Sequence, residues 1–584
     1  DVPGLRSIAL GGEVVSQNVL DHWQTDDLQL QVLYGTSESS AASFLVFCSQ
    51  DENEAALIGK STSCVSWVVD PSNHNRLVPI GSVGELVLEG PVLARGYLDN
   101  QSGESDAFIN NPSWLSVQRE GAKHRMFKTG DLVRYKSNGS LVFVGRKNDR
   151  HACALASNLT QTQARIDSFL DHKKKCVVES VQLQRENVNI EALVAFVVSS
   201  NTSPVTFGDC VLQSTTPQLT DTISSLHINL STSLPGSKVP SFYIPVSSLP
   251  LTFSGKLNRQ ALRTETRALS SSALEAFEIK RWNGTKTGKH LSRHASLSEA
   301  NVAFWKEYLA DVEPCVFPAL SHEASDNCRS TRTLNKQTAS IHAFSRLSGL
   351  PAEILFQFAW ALVLRWYVGS DDVCFGYSTS PSETKVEAEG VATCRFLVQN
   401  DRKVQDTLEN AKKDSEKIAL NIAALDAVKD QLGLDNTALF NTSMIYRTAS
   451  NPSKGINREP SSSSSYKILV EAEVSHSHAQ IHFNYSSETL SSFLVNHVMD
   501  MFDQVLDDLI AHNLNDRTIG DINVFTERSA RQICDWNAAS PPRLEKCADE
   551  LIQQQALLHP RAEAICSWDK NFTYGQLEIV SSRL

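Results

Sequence analysis

Over residues 1–145, strand-like apolar runs alternate with Gly-rich turns, as in 84–90, where Glu85-Leu86-Val87-Leu88-Glu89 lies between two glycines. From 146 to 265 the pattern mixes a helical stretch with strands, Ala192-Leu193-Val194-Ala195-Phe196-Val197-Val198 being the strongest, and predicts a small α+β unit. The polar segment 266–298, with Gly284, Gly288 and many Ser and Thr, reads as a linker. A second globular region is expected over 299–530. Its apolar segment 354–368 is interrupted only by Gln357 and Arg365; it predicts a buried helix and is too short to span a bilayer. Residues 372–376 predict a strand, 404–422 and 494–510 predict helices, and 451–465, ending in five serines, predicts an exposed insertion. A new unit is expected over 531–584. No solenoid-type repeat is present.

With 584 residues, several cores are needed, and 41% apolar content supports globular folding. Net charge is −12 and no stretch concentrates Lys and Arg, which argues against nucleic acid as a partner. The twelve cysteines form no Cys-x-x-Cys pair or Cys/His cluster, which disfavours structural zinc and a disulfide scaffold and fits a reducing cytoplasm. No membrane segment and no signal peptide are expected. Both ends fall inside patterned segments, so both are expected to be cuts within longer domains.

Candidate chemistry follows. No Walker-type loop and no Gly-x-Gly-x-x-Gly after a strand is present. Instead, short motifs occur in one order. The first, Leu33-Tyr34-Gly35-Thr36-Ser37-Glu38, ends an apolar strand with an aromatic ring to stack a base and a carboxylate to hold Mg²⁺. Taken alone, it is better explained as an ordinary strand-ending turn. Next come Gly84 to Tyr97 and Phe127-Lys128-Thr129-Gly130-Asp131-Leu132-Val133; a carboxylate such as Asp131 offers two acceptor oxygens to a ribose, although turn aspartates beside glycine are commoner. Gly145-Arg146-Lys147-Asn148-Asp149 marks the junction of two units. Last is Pro250-Leu251-Thr252-Phe253-Ser254-Gly255-Lys256-Leu257-Asn258-Arg259, whose Lys256 could meet charge developing on a phosphate, or simply be a solvated surface lysine.

In this order the motifs resemble the adenylation domains of fungal-type nonribosomal peptide synthetases, within the adenylate-forming superfamily. The resemblance implies an α/β multidomain fold: the C-terminal part of an adenylation core (1–145) and its small α+β lid (146–265). It implies that Tyr34 stacks on adenine, with Gly35, Thr36 and Ser37 in the same nucleotide loop, and that Glu38 assists Mg²⁺. Asp131 would hold the ribose with Arg146, and Lys256 would be the catalytic bridge between reacting groups. Ala9, Gly11, Leu33, Ala41 and Ala42 would line an amino-acid pocket, favouring an uncharged side chain, and Gly11-Gly12-Glu13 would be the loop before it. Asn148 and Asp149 would be the hinge, where the family has aspartate first. The Arg-Gly-x-Arg-Ile-Glu pattern expected next is replaced by Ala154-Leu155-Ala156-Ser157-Asn158-Leu159. The implied chemistry is ATP- and Mg²⁺-dependent formation of an aminoacyl-adenylate, passed to phosphopantetheine on a carrier domain that this chain does not contain.

Residues 299–530 resemble the C-terminal half of a condensation domain with a chloramphenicol-acetyltransferase-like α/β fold. The resemblance rests on Phe304-Trp305-Lys306-Glu307-Tyr308-Leu309, Phe358 to Leu364, Gly369 to Gly376 and Leu439-Phe440-Asn441-Thr442. No His-His-x-x-x-Asp-Gly motif occurs, and no Gly-Gly-x-Ser carrier motif lies between Lys256 and Asn301. Trp536-Asn537 and Phe572-Thr573-Tyr574-Gly575-Gln576-Leu577 resemble the opening of a second adenylation domain. The succession favours a fragment of a multimodular synthetase, itself expected to be inactive alone. The alternatives are a stand-alone acyl-CoA or aryl-acid ligase and a non-catalytic remnant. In an intact parent domain, Lys256→Ala is expected to abolish adenylate formation while leaving ATP binding largely unchanged; unchanged turnover would reduce Lys256 to a surface residue.

Overall fold

The computed structural model describes residues 7–13, 15, 19–20, 23, 28–39, 44–47, 56–98, 106–115, 124–147, 162–163, 165–166, 169–170, 176–185, 188–198, 212–213, 217–233, 239–252, 257–270, 273–274, 276–278, 299–310, 312, 314–321, 326–336, 338–378, 392–421, 439–449, 466–538, 546–567 and 570–583. The chain divides into two compact units, Asp1–Ala538 and Ala539–Leu584.

The first unit opens with strands β1 (Ser7–Gly11), β2 (Gln29–Tyr34), β3 (Phe44–Phe47), β4 (Leu57–Ser61), β5 (Val65–Asp70), β6 (Asn73–Leu77), β7 (Gly84–Glu89), β8 (Phe108–Asn110), β9 (Arg125–Tyr135) and β10 (Leu141–Arg146). They form one sheet in the order β1-β2-β3-β4-β10-β9-β7-β5-β6, with β8 paired to β9. Every residue of β5 and β7 is buried. Two glutamates of β7 are therefore matched inside: Glu85 accepts from Lys147 Nζ at 2.8 Å, and Glu89 from Trp67 Nε1 at 3.0 Å. Burying these carboxylates unpaired would cost several kcal/mol each.

A three-stranded sheet follows: β11 (Cys176–Arg185), β12 (Val188–Val198) and β13 (Phe242–Val246), in that order. Period-2 alternation splits it between two cores. Val178, Leu193, Ala195, Val197 and Tyr243 pack with Leu219, Ile223, Leu226 and Leu230 of α1 (Pro217–Ser233). Val181, Leu183, Val194, Phe196 and Ile244 pack with Leu262 of α2 (Arg259–Arg267). Fully buried Glu179 sits between Arg259 and Arg263 of α2, which reach it from consecutive turns.

Beyond α3 (Glu299–Tyr308) lies a mixed six-stranded sheet ordered β14-β19-β18-β17-β15-β16. Its strands are β14 (Asn327–Thr333), β15 (Asp372–Ser378), β16 (Ala392–Leu397), β17 (Thr442–Ala449), β18 (Ile468–Ser475) and β19 (Ala479–Ser486). Its helices are α4 (Thr338–Ser348), α5 (Ala352–Leu364), α6 (Val404–Leu420), α7 (Ser492–Ala511) and α8 (Glu527–Trp536). Helix α5 is apolar all round and is buried from Ile354 to Leu364, as a central helix must be. Trp360 meets Phe483 of β19 edge-on at 5.6 Å, and Phe356 meets Phe502 of α7 at 6.1 Å. Among the described residues no single helix is long and apolar enough to cross a membrane.

One hydrophobic cluster runs from the first sheet (Val68, Leu86, Met126) into the second region (Trp360, Phe483, Ile533). At that junction Tyr367 donates to the Ile80 carbonyl at 3.0 Å, Val83 N–H to the Trp366 carbonyl at 3.1 Å, and Asn400 Nδ2 to Ser72 Oγ at 2.8 Å.

The second unit pairs β20 (Glu563–Ile565) with β21 (Phe572–Thr573) beside α9 (Ala548–Leu558) and α10 (Tyr574–Ser581). Thr573 caps α10 reciprocally with Gln576.

The predicted helices at 354–368, 404–422 and 494–510 correspond to α5 and the π-turn Arg365–Gly369, to α6 and to α7. The predicted serine-rich insertion at 451–465 lies outside the described residues, as does most of the linker. Trp360→Ala is expected to destabilise the first unit by about 3–5 kcal/mol, read from denaturant unfolding, because it empties a fully buried indole site; a loss below about 1 kcal/mol would contradict this packing.

Candidate functional site

The Thr129-Gly130-Asp131 motif is a break in a strand. Opposite it, Glu85 pairs with Leu132 while Val87 pairs with Lys128, so β9 carries extra residues between these two pairings. Gly130 has φ +72, a conformation that costs glycine little and most other residues more. Thr129 Oγ1 donates to the Leu86 carbonyl at 3.0 Å and accepts from Asp131 N–H at 3.1 Å, fixing the irregularity. The bulge re-aims the Asp131 side chain, which is buried beneath two partners from distant stretches. Tyr34, the last residue of β2, donates its hydroxyl to Asp131 Oδ2 at 2.5 Å. Arg146, at the end of β10 and paired in register with Asp131, brings Nε to Oδ1 at 2.7 Å. Its guanidinium is 59% exposed and the carboxylate 3%, so the cation roofs the anion.

Burial raises the Asp131 pKa above the usual carboxylate range, against the Tyr34 hydrogen bond and the Arg146 charge, which lower it. Burial, reinforced by the Asp131 charge, pushes the Tyr34 hydroxyl far up, so it stays a protonated donor.

Glu38 lies in the 3-10 turn Ser37–Ser39, and its backbone carbonyl accepts from Ala94 N–H at 2.7 Å. Tyr97 donates to Glu38 Oε1 at 2.7 Å, so the motif spanning 84–97 closes onto the Tyr34 loop. Burial acts to raise the Glu38 pKa, but the Tyr97 hydrogen bond, other local hydrogen bonds and the Arg146 charge outweigh it, and the group lies below its ordinary value. Gly35 and Thr36 connect the two, with Thr36 Oγ1 and Ser39 Oγ 3.1 Å apart.

Ala9, Gly11 and Leu33 share one face: parallel pairing sets Ala9 opposite Gln31 and Gly11 opposite Leu33. Leu30 and Val32 turn the other way into a small core. Leu257 N–H donates to Glu13 Oε1 at 3.1 Å, which places the residue after Lys256 beside the Gly11-Gly12-Glu13 loop. Lys256, Ala41, Ala42, Asn148 and Asp149 lie outside the described residues.

The donor set bears on the implied Mg²⁺ and ATP. Among the described residues no group of three His, Cys, Asp or Glu could hold a metal. An ionised Glu38 alone fits a cation whose other ligands are phosphates and water, the usual mode for Mg²⁺. A carboxylate offers about four lone-pair sites. Asp131, holding one partner on each oxygen, retains acceptor capacity for sugar hydroxyls.

The family description AMP-binding enzyme matches residues 1–98. The nonribosomal peptide synthetase nlsA of Emericella nidulans aligns over 799 residues at 26% identity, covering 100% of this chain and 13% of its own length. Nonribosomal peptide synthetase 1 of Aspergillus fumigatus aligns at 26% over 829 residues, again 100% of this chain and 13% of that protein. The chain is related to the fungal nonribosomal peptide synthetases. It spans 13% of these two synthetases, and both alignments are longer than the chain, so they include internal synthetase sequence with no counterpart here. Klebsiella oxytoca NpsA in complex with 3-hydroxyanthranilyl-AMSN overlaps 45% of this chain and 48% of its own at 20% identity and a TM-score of 0.33, too low to carry an argument.

Two contacts in this chain escaped sequence reasoning. Tyr97 stood in a quoted motif without a role, because its partner Glu38 is 59 positions away. Lys147 follows Arg146 and pairs with Glu85, 62 positions back; a buried Glu inside an apolar strand was the available signal. Because folding raises the Asp131 pKa, its ionisation disfavours the folded state as pH rises through and above the ordinary Asp range. Asp131→Asn is therefore expected to gain stability relative to the parent chain between pH 3 and 7, measured by chemical denaturation; a gap independent of pH would contradict the buried-carboxylate assignment.

Proposed function

We propose that this segment belongs to a synthetase that activates an amino acid with ATP, and that Tyr34, Asp131 and Arg146 hold the nucleoside. The observation that carries the reading is the convergence of those three side chains from β2, the β9 bulge and β10. A deeply buried carboxylate with a raised pKa, roofed by an exposed arginine, is the kind of perturbed group that clusters at binding sites.

In this reading the Tyr34 ring supports the base, and Asp131 takes the ribose hydroxyls while Arg146 keeps the carboxylate ionised. Glu38, ionised and steadied by Tyr97, holds Mg²⁺; the ion would neutralise phosphate charge during attack by the substrate carboxylate. Lys256 stabilises the charge shared by phosphate and carboxylate, consistent with Leu257 reaching the Glu13 loop. Ala9, Gly11 and Leu33, with Ala41 and Ala42, form the wall of a pocket for an uncharged amino acid. Asn148 and Asp149 form the hinge. A cytoplasmic parent with phosphopantetheine-bearing carrier domains as partners completes the proposal, and residues 299–530 serve as its condensation-like portion. Similarity along the whole chain to fungal nonribosomal peptide synthetases favours this over a stand-alone acyl-CoA or aryl-acid ligase.

The test is a titration of the purified chain with a fluorescent ATP analogue, competed with ATP and AMP. Binding is expected to weaken about tenfold or more in Asp131→Ala, since a hydrogen bond to a charged group is worth about 1.5–3 kcal/mol. Binding that is insensitive to Asp131 and Tyr34 substitutions would overturn the assignment.

A further inference from the structure

Asp131 and Arg146 face each other across one β-hairpin, near its open end. Its other end is the turn 136–140, where Lys136 N–H donates to the Ser140 carbonyl at 2.8 Å and Gly139 N–H to the Lys136 carbonyl at 3.0 Å. That turn is held by the C-terminal end of α8. The Trp536 ring lies directly on Gly139: a Cβ there would come 2.7–2.9 Å from Cδ2, Cε2 and Cγ of the indole, and φ +83 disfavours any side chain as well. Tyr135, the last residue of β9, packs its ring 5.3 Å from that of Trp536. Its hydroxyl and Asn537 Nδ2 both donate to the Ser66 carbonyl of β5, each at 2.8 Å. Tyr135 and Asn537 are both buried.

The clamp is anchored at its other end. Helix α8 docks on α7 through Ser529 Oγ, 3.1 Å from His497 Nδ1, and through Arg528 Nε, 2.5 Å from Asp500 Oδ2. Ile533 of α8 is fully buried in the shared core. A rigid helix thus ends on the turn of the hairpin that carries the site. From Tyr135 to Asp131 is four residues of strand, about 13 Å at roughly 3.3 Å per residue.

We propose that Trp536 and Asn537 are positioning residues: they clamp the β9–β10 hairpin and thereby set the Asp131–Arg146 pair for the nucleotide. Helix α8 and the residue after it then stiffen the site from behind, without touching the ligand. Binding geometry depends on supporting elements that are themselves locked. The proposal rests on the nucleoside reading of Tyr34, Asp131 and Arg146.

The experiment uses the full chain with Trp536→Ala, Trp536→Phe and Asn537→Ala. Two quantities are followed: backbone hydrogen exchange along β9 and β10, and affinity for the fluorescent ATP analogue. Trp536→Ala and Asn537→Ala are expected to raise exchange at 129–133 and 144–146 and to weaken binding about three- to tenfold, while Trp536→Phe retains both. Faster exchange confined to 136–140 with unchanged affinity would overturn the clamp. If Trp536→Ala fails to fold, Asn537→Ala, which removes the side-chain hydrogen bond to the Ser66 carbonyl but leaves the indole in place, carries the same two readouts. A parent chain that binds no nucleotide would sink the nucleoside reading alone; the clamp is then judged by whether exchange spreads to 129–133 and 144–146.

Discussion

A carboxylate buried to 3% exposure, with a tyrosine hydroxyl on one oxygen and a guanidinium on the other, is the constraint around which the first sheet is organised. Without partners Asp131 would abandon its charge or leave the interior. Each partner comes from a strand end: Tyr34 closes β2 and Arg146 closes β10. The order of strands between them, from β2 through β3 and β4 to β10 and β9, is what brings residues about a hundred positions apart to one point. The bulge at Thr129-Gly130-Asp131 interrupts the ladder, and a strand without it would aim residue 131 elsewhere.

The same sheet continues into a second structural role. Its β5, β7 and β9 contribute to a hydrophobic cluster that continues without a break into the region of the six-stranded sheet. The junction is hydrogen-bonded as well as apolar, through Tyr367, Trp366, Asn400 and Asn537. The unit therefore extends to Ala538 and takes in Trp536 and Asn537, which the sequence pattern had grouped with the following unit.

Much of this was legible beforehand because it is local. The helices around Trp360, Val404 and Leu494, and the strands at 84–89 and 192–198, follow from periodicity and apolar run length. Tyr34, Asp131 and Arg146 were legible as motifs, each weak alone and informative in order. What could not be read were partnerships across long separations: Tyr97 with Glu38, Lys147 with Glu85, and Trp536 with Gly139. A lone Gly in a Lys-Ser-Asn-Gly-Ser turn signals only a turn, and nothing in its neighbourhood announces an indole from residue 536 lying against it. Such contacts are made by tertiary packing, not by local propensity.

The proposed role of the Tyr34–Asp131–Arg146 cluster is to grip a nucleoside. A crystal structure of the chain grown with AMP tests it most directly. The adenine ring is expected against Tyr34, with ribose hydroxyls within hydrogen-bond distance of Asp131. AMP bound elsewhere, with the three side chains paired as they are here, would contradict it.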